Sequence, residues 1–186
     1  MNSGEATGAL FIACEAVVTA PATCANLGPG FDCVALALDL RNTFTVSVQP
    51  RKEGATGAGA CRVELTRDAG RLDLASIETG ADNLFCQAFA LVCERVGVAP
   101  PDLALRIDAR IPPSRGLGSS ATAVVGGLLA ANALLGEPLG ASDLLALAIR
   151  CEPGGHADNV AGALYGGLVV TGADERGAGV IALPLP

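Results

Sequence analysis

The sequence has 186 residues, 51% of them apolar, which is room for one well-filled domain or one domain and the beginning of another. Its net charge is −7 and Lys52 is its only lysine, so a broad basic surface for DNA or RNA is excluded. Any bound phosphate must be held by backbone N–H groups, helix ends and a few arginines. With no Trp, one Tyr and five Phe, the core falls to Ala, Val, Leu and Ile, and 24 glycines point to tight turns and close packing. The seven cysteines (Cys14, Cys24, Cys33, Cys61, Cys86, Cys93 and Cys151) are odd in number and lack CxxC spacing. They read as free thiols of a reducing, cytoplasmic compartment, neither a disulfide frame nor a zinc site.

Residues 1–13 read as a loose leader without a basic region or a long apolar run, hence no secretory signal. Strand-like runs follow at Ala16–Pro21, Val34–Leu38, Thr43–Val48, Arg62–Thr66 and Leu103–Ala109, and the Gly/Ala-rich Arg51–Ala60 reads as a hairpin or loop. Asp82 or Asn83 is placed to cap a helix reaching about Arg95, with Leu84, Ala88, Leu91 and Val92 on one face and Gly97 closing it. A second helix fits Ser119–Leu135, striped by Val124, Leu128, Ala131 and Leu135 and ended by Gly136 and Pro138. A third fits Ser142–Arg150 with Ser142 as cap. A Gly/His/Asp/Asn turn at 153–159, a short helix and strand-like runs at Gly167–Thr171 and Val180–Leu183 complete the chain. The uncharged stretch Gly116–Gly136 is too rich in Gly, Ser, Thr and Asn for a membrane span and reads as a buried helix. Strands come first and helices are inserted late, which predicts an α+β domain without internal repeats.

The strongest local signal is Pro112-Pro113-Ser114-Arg115-Gly116-Leu117-Gly118-Ser119-Ser120-Ala121-Thr122, set between a strand and a helix. Glycines let a ligand approach the backbone, and a helix start offers unpaired N–H groups and the positive end of the dipole. Ser119 and Ser120 are placed to cap that end or to donate to phosphate. The same turn also reads as plain strand-to-helix packing. A Walker A loop is excluded because no lysine is present. A dinucleotide turn is disfavoured because Glu137, the acid at the right spacing, sits in a Gly-Glu-Pro turn leading into a helix. A hydrolase triad of Ser120, Asp143 and His156 is remote, since the second glycine of GxSxG is absent.

This loop resembles the second motif of the GHMP kinases, PxxxGLGSSAx. Two more stretches point to the homoserine kinase branch of that superfamily: Ala20–Asp32, which is similar to APAxxANLGPGFD, and Gly155–Ala161 followed by Leu164-Tyr165-Gly166-Gly167, which is similar to GHxDNVAxxxxGG. The three come in the family's order and span about residues 16–171. The resemblance implies a ribosomal-protein-S5-like α+β domain over 14–171 that holds ATP, with 172–186 as the start of a truncated C-terminal part of a second α+β domain. It implies phosphoryl transfer from ATP to the side-chain hydroxyl of L-homoserine, a step of threonine biosynthesis, in a cytoplasmic enzyme free of membrane and nucleic acid. It leaves a homodimer open.

By position, the resemblance makes residues 112–122 the ATP loop and Ser120 and Glu152 the Mg²⁺ ligands. Asn26, Asp32 and His156 become homoserine contacts, and Asp158 the base. The chemistry agrees. Asp32 suits the substrate ammonium, Asn26 can donate and accept, and Mg²⁺ takes one or two hard protein oxygens. Each residue has a plain structural reading as well. Asn26 and Asp32 flank a Gly-Pro-Gly turn, His156 and Asp158 begin a helix, and Glu152 ends one. The segment Glu152-Pro153-Gly154-Gly155-His156 departs from the family's ExEGH by placing glycine where a second acid is usual. The family's third glycine-rich motif and its later arginines are absent from these 186 residues. This predicts a chain that is a weak or inactive kinase by itself, either another GHMP kinase, a homoserine kinase portion or a nucleotide-binding remnant.

Overall fold

The computed structural model describes residues 11–49, 59–66, 77–80, 82–174 and 177–184, with only the backbone of 173–174 and 177–178. Most of the predicted loop at 51–60 lies outside the described residues. The elements are β1 (Glu15–Leu27), β2 (Gly30–Gln49), β3 (Cys61–Leu65), α1 (Leu84–Arg95), β4 (Asp102–Asp108), α2 (Ser119–Leu134), α3 (Ala141–Cys151), α4 (Ala157–Tyr165), β5 (Leu168–Asp174) and β6 (Gly177–Leu183). They form an α+β domain, as the sequence predicts.

β2 is the spine of the sheet, which runs β3-β4-β2-β5-β6 with β1 also paired to β2. Among the described residues, only the β3–β4 pair is parallel. The two runs predicted at 34–38 and 43–48 are one strand. The polar Asp39, Arg41 and Asn42 look like a break, yet pairing of Arg41 with Pro21 and Asn42 with Ala20 carries the strand through. One end of β2 pairs with β5 through Val34–Leu36, and the other pairs with β4 through Thr43–Gln49. β5 and β6 form a hairpin in the same sheet, across residue 171, where the sequence suggests a boundary.

The helices cover one face. Phe44, Val46, Leu103, Leu105 and Ile107 of the sheet are buried against Phe85, Phe89, Val124, Leu128 and Val160 of the helices. Phe44 stacks on Phe85 with ring centroids 5.1 Å apart. α2 is buried on almost every side, which explains its uncharged sequence. Gly127 sits where a Cβ would strike the Phe85 carbonyl of α1, so the two helices cross at backbone distance. No helix among the described residues is long and apolar enough to cross a membrane.

Asn83 caps α1, its Oδ1 accepting from Phe85 N at 3.0 Å. The buried stripe of α1 is Phe85, Ala88, Phe89 and Val92, displaced from the predicted one because Leu84 and Leu91 sit at its margin. α3 begins one residue earlier than expected, and Ser142 is not its cap: Gly140 holds that position without a side-chain bond. The preceding turn is held by Asn132, which donates to Leu139 O and accepts from Leu139 N, both at 3.0 Å.

Two expectations are corrected. Cys61 and Cys86 form a disulfide between β3 and α1, with Cα atoms 6.4 Å apart, whereas Cys14, Cys24, Cys33, Cys93 and Cys151 are free. Their sequence separation of 25 carries no spacing signal. The end of the supposed leader is also docked: Ile12 N donates to Leu134 O at 2.8 Å, and Phe11 stacks on Phe89.

Candidate active site

The loop 112–118 enters α2 through alternate left-handed residues, with φ of 57° at Ser114, 69° at Gly116 and 64° at Gly118. Such backbone turns N–H groups toward one concavity, where an anion fits. Gly118 is the N-cap of α2 and no side chain caps the helix, so Ser119 and Ser120 leave its dipole end open. A polar cavity of about 340 Å³ lies there, lined by residues 114–120 with Ala25, Asn26, Glu152 and Asn159. Sharing Ser114, Ser119 and Ser120 with it is a second cavity of about 210 Å³, more apolar, built from Phe44, Ile77, Leu84, Ile107 and Ala123 beside Asn42 and Asn83. The two cavities thus adjoin at the start of α2, one polar and cradled by the glycine loop, the other more apolar.

The two predicted glycines do different work. A Cβ on Gly118 would fall on Thr23 Oγ1 and 3.2 Å from Asn159 Oδ1, so its bareness serves the protein's own packing. Around Gly116 nothing lies within 4 Å, and this is the glycine open to a ligand. Of the eleven loop residues, Pro113 to Ser120 line one cavity or the other. Pro112, Ala121 and Thr122 line neither. Ala121 and Thr122 are fully buried, and Thr122 Oγ1 donates to Ser119 O at 2.7 Å.

Glu152, which ends α3, meets the first turn of α2: Ser120 Oγ donates to Glu152 Oε1 at 2.8 Å. Glu152 Oε2 is buried with no partner. Burial pushes this carboxyl above its ordinary value, and the charge of Asp158 adds to the rise; the Ser120 hydrogen bond and His156 oppose it. A half-buried carboxylate with an orphaned oxygen beside a serine hydroxyl suits a hard divalent cation that also binds phosphate. Among the described residues there is no cluster of three or more His, Cys, Asp or Glu, so such a cation would draw its other ligands from nucleotide and water.

The β1–β2 hairpin tip supplies the other wall. Asn26 and Asp32 both adopt left-handed backbone, with φ of 59° and 55°, and Asn26 Oδ1 accepts from Asp32 N at 2.8 Å. Part of Asn26's polarity is therefore spent on its own turn. The Asp32 carboxylate lies 3.7 Å from His156 Nδ1, both about half exposed, joining the tip to the start of α4. Phe31 is 73% exposed beside them. Asp158, in the first turn of α4, is 1% exposed and lines neither cavity. Its Oδ1 accepts from Asn159 N at 2.7 Å and Asn159 Nδ2 at 3.3 Å, and it is Asn159 that faces the phosphate cradle. The structure thus brings Asn26, Asp32, His156, Ser120, Glu152 and Asp158 to one end of α2 and α4.

Sequence reasoning passed over Thr23, Asn42 and Asn159. Asn42 Oδ1 accepts from Arg110 N and Ile111 N at 2.8 and 3.0 Å and so holds the chain as it leaves β4 for the loop. Its signal was an asparagine inside a strand. The hydrolase triad does not assemble: Ser120 bonds Glu152, while Asp143 lies 3.8 Å from Arg95 on the outer surface. Glu137 is in an exposed left-handed turn at φ 59°, away from any dinucleotide site.

The fold thus sets a glycine loop at the start of a buried helix and a serine–glutamate pair at its mouth. Residues 83–167 match the family described as GHMP kinases N terminal domain. The chain is 49% identical to the homoserine kinase of Synechococcus sp. over 155 residues, covering 83% of this chain and 46% of that protein. Against the homoserine kinase of Carboxydothermus hydrogenoformans it is 44% identical over 169 residues, 91% of this chain and 51% of that one. The crystal structure of homoserine kinase from Cytophaga hutchinsonii superposes with a TM-score of 0.75 at 31% identity, over 94% of this chain and 53% of that one. The chain spans about half the length of the curated relatives it matches.

Proposed function

We propose that the protein transfers the γ-phosphoryl group of ATP to the side-chain hydroxyl of L-homoserine, a cytoplasmic step of threonine biosynthesis, with Mg²⁺. The observation that carries this reading is the meeting of three chain-distant groups around one cradle: the hairpin tip Asn26/Asp32, the Ser120–Glu152 pair, and the α4 start at His156–Asn159. Resemblance to homoserine kinases over most of the chain supports the choice of substrate.

In this reading the backbone of 114–118 and the open N-terminus of α2 receive the phosphates, and the Phe44/Ile77/Leu84 slot receives the base. Ser120 and Glu152 hold Mg²⁺, which neutralises phosphate charge when bound. Asp32 pairs the substrate ammonium, with Asn26 and His156 beside it. Asp158, buried behind Asn159, orients the acceptor hydroxyl or takes its proton. Phosphoryl transfer asks mainly for this kind of positioning and charge stabilisation.

The test is ADP release with homoserine, mevalonate and sugars as acceptors. Homoserine-dependent release supports the proposal, and release only with another acceptor makes the protein a different GHMP kinase. The half-exposed Asp32 and His156 favour one second reading, a domain that binds nucleotide and turns nothing over. Nucleotide binding by calorimetry without ADP release under any acceptor would select it.

A further inference from the structure

We infer that Thr23 is a positioning residue of this site, whose hydroxyl locks the Asn159 amide between the glycine loop and Asp158. A register shift in β1 between Pro21 and Thr23 interrupts the alternation of the strand, and Ala20 to Thr23 are all buried. Such a bulge re-aims a side chain. Thr23, fully buried, thereby points into the helical layer.

Three contacts converge on it. Its backbone N–H donates to Leu117 O at 3.1 Å, fastening the glycine loop to the sheet. Its hydroxyl donates to Asn159 Oδ1 at 2.7 Å. Its methyl fills the space at Gly162 of α4, where a Cβ would come within 2.9 Å of it.

The hydrogen-bond directions are forced. Asp158 Oδ1 takes the Asn159 backbone N–H and its Nδ2, which turns the Asn159 NH₂ toward Asp158 and its carbonyl oxygen toward Thr23. The hydroxyl has one proton and spends it there. Gly118 completes the lock, since a side chain at that position would occupy the same space. Without the hydroxyl, the Asn159 oxygen faces an apolar wall, and the cheapest relief is rotation into the cradle that Asn159 already borders. Asp158 then loses one of its two donors, and the cradle gains a misplaced amide. Thr23 itself lines neither cavity; it acts through Asn159.

The test uses the ¹⁵N-labelled 186-residue chain without nucleotide or homoserine, so it stands apart from the proposed activity. The side-chain amide protons of Asn159 are expected to exchange with solvent roughly tenfold faster in Thr23→Val than in the parent, while the rest of α4 keeps its protection. Thr23→Ser should restore slow exchange. If Thr23→Val does not fold, Thr23→Ala against Thr23→Ser isolates the same hydroxyl without added bulk. Where homoserine-dependent turnover exists, which rests on the proposed function, Thr23→Val should lower kcat about tenfold with KM for ATP unchanged, and Thr23→Ser should recover it. Parent-like Asn159 exchange in Thr23→Val, or a Thr23→Ser that behaves as Thr23→Ala does, overturns the inference.

Discussion

Ser120 Oγ and Glu152 Oε1 share a 2.8 Å hydrogen bond that ties the first turn of α2 to the C-cap of α3. The second oxygen of Glu152 has no partner, and burial raises its pKa above the ordinary 4.5. A carboxyl raised in the folded state destabilises it when ionised. Stability from this group therefore rises as pH falls through the raised folded pKa, and the gain is complete below 4.5, the reverse of a salt-bridged carboxylate. Glu152→Gln should melt higher than the parent at pH 7 without metal and should lack this rise on acidification. It should also lose the Mg²⁺ dependence of nucleotide binding in calorimetry. A parent-like Mg²⁺ dependence in Glu152→Gln would remove Glu152 from the metal site.

The glycine loop separates binding from folding. Gly116 has open space around it and a φ of 69°, which Asn tolerates. Gly116→Asn should keep the melting temperature within a few degrees and weaken nucleotide binding by about tenfold or more, because the new side chain fills the cradle. Gly118→Val looks from sequence like the same experiment, with ATP binding lost and the fold retained. The structure changes that expectation. Valine there meets Thr23 and Asn159 in a left-handed conformation, so stability should fall by about 1–3 kcal/mol as well. Thermal melts alongside calorimetry distinguish the two glycines.

Much of this site was legible in the sequence because its parts are backbone devices. Glycines at 116 and 118, the Asn26–Asp32 turn and the α4 start announce left-handed residues and helix ends locally. What the sequence could not show depends on contacts between distant segments. Thr23 and Asn159 are 136 residues apart and meet only because β1 bulges inward under α4. The Cys61–Cys86 bond needs the parallel β3–β4 pair to bring the start of β3 beside α1. The merging of two short runs into β2 needs the pairing partner β1. Propensity reads the residues and is blind to these neighbours.

Asp158 yields a prediction on turnover. It is 1% exposed and bonded to Asn159 through both backbone and side chain. Asp158→Asn keeps the shape and removes the carboxyl that would accept a proton. In a homoserine-active form of the protein, kcat should drop about 10²-fold or more, within the range of acid–base groups. ATP affinity should change little, since Asp158 lines neither cavity. Full turnover in this variant would take Asp158 out of the mechanism.

The isolated 186-residue chain should show weak nucleotide binding, little homoserine-dependent ADP release and a tendency to self-associate. The sheet face opposite the helices is divided. Around Thr43, Thr45, Arg106 and Arg110 it is polar and suits water. Around β5 and β6 it is apolar: Val170 is 38% exposed, Ile181 66% and Leu183 49%, and Val170 and Ile181 are register partners on one face. An exposed apolar stripe of this kind favours association. The proposed acceptor end of the site is also open, with Asp32 and His156 half exposed and Phe31 73% exposed. Phosphoryl transfer requires the hydroxyl and γ-phosphate to be held in line, and an open pocket gives little of that advantage. Light scattering across protein concentration, beside a coupled ADP assay on this same chain, measures both expectations. A monodisperse monomer turning over homoserine at the rate of a full-length relative would mean that this one domain closes the acceptor pocket by itself, and the account of an open site would fall.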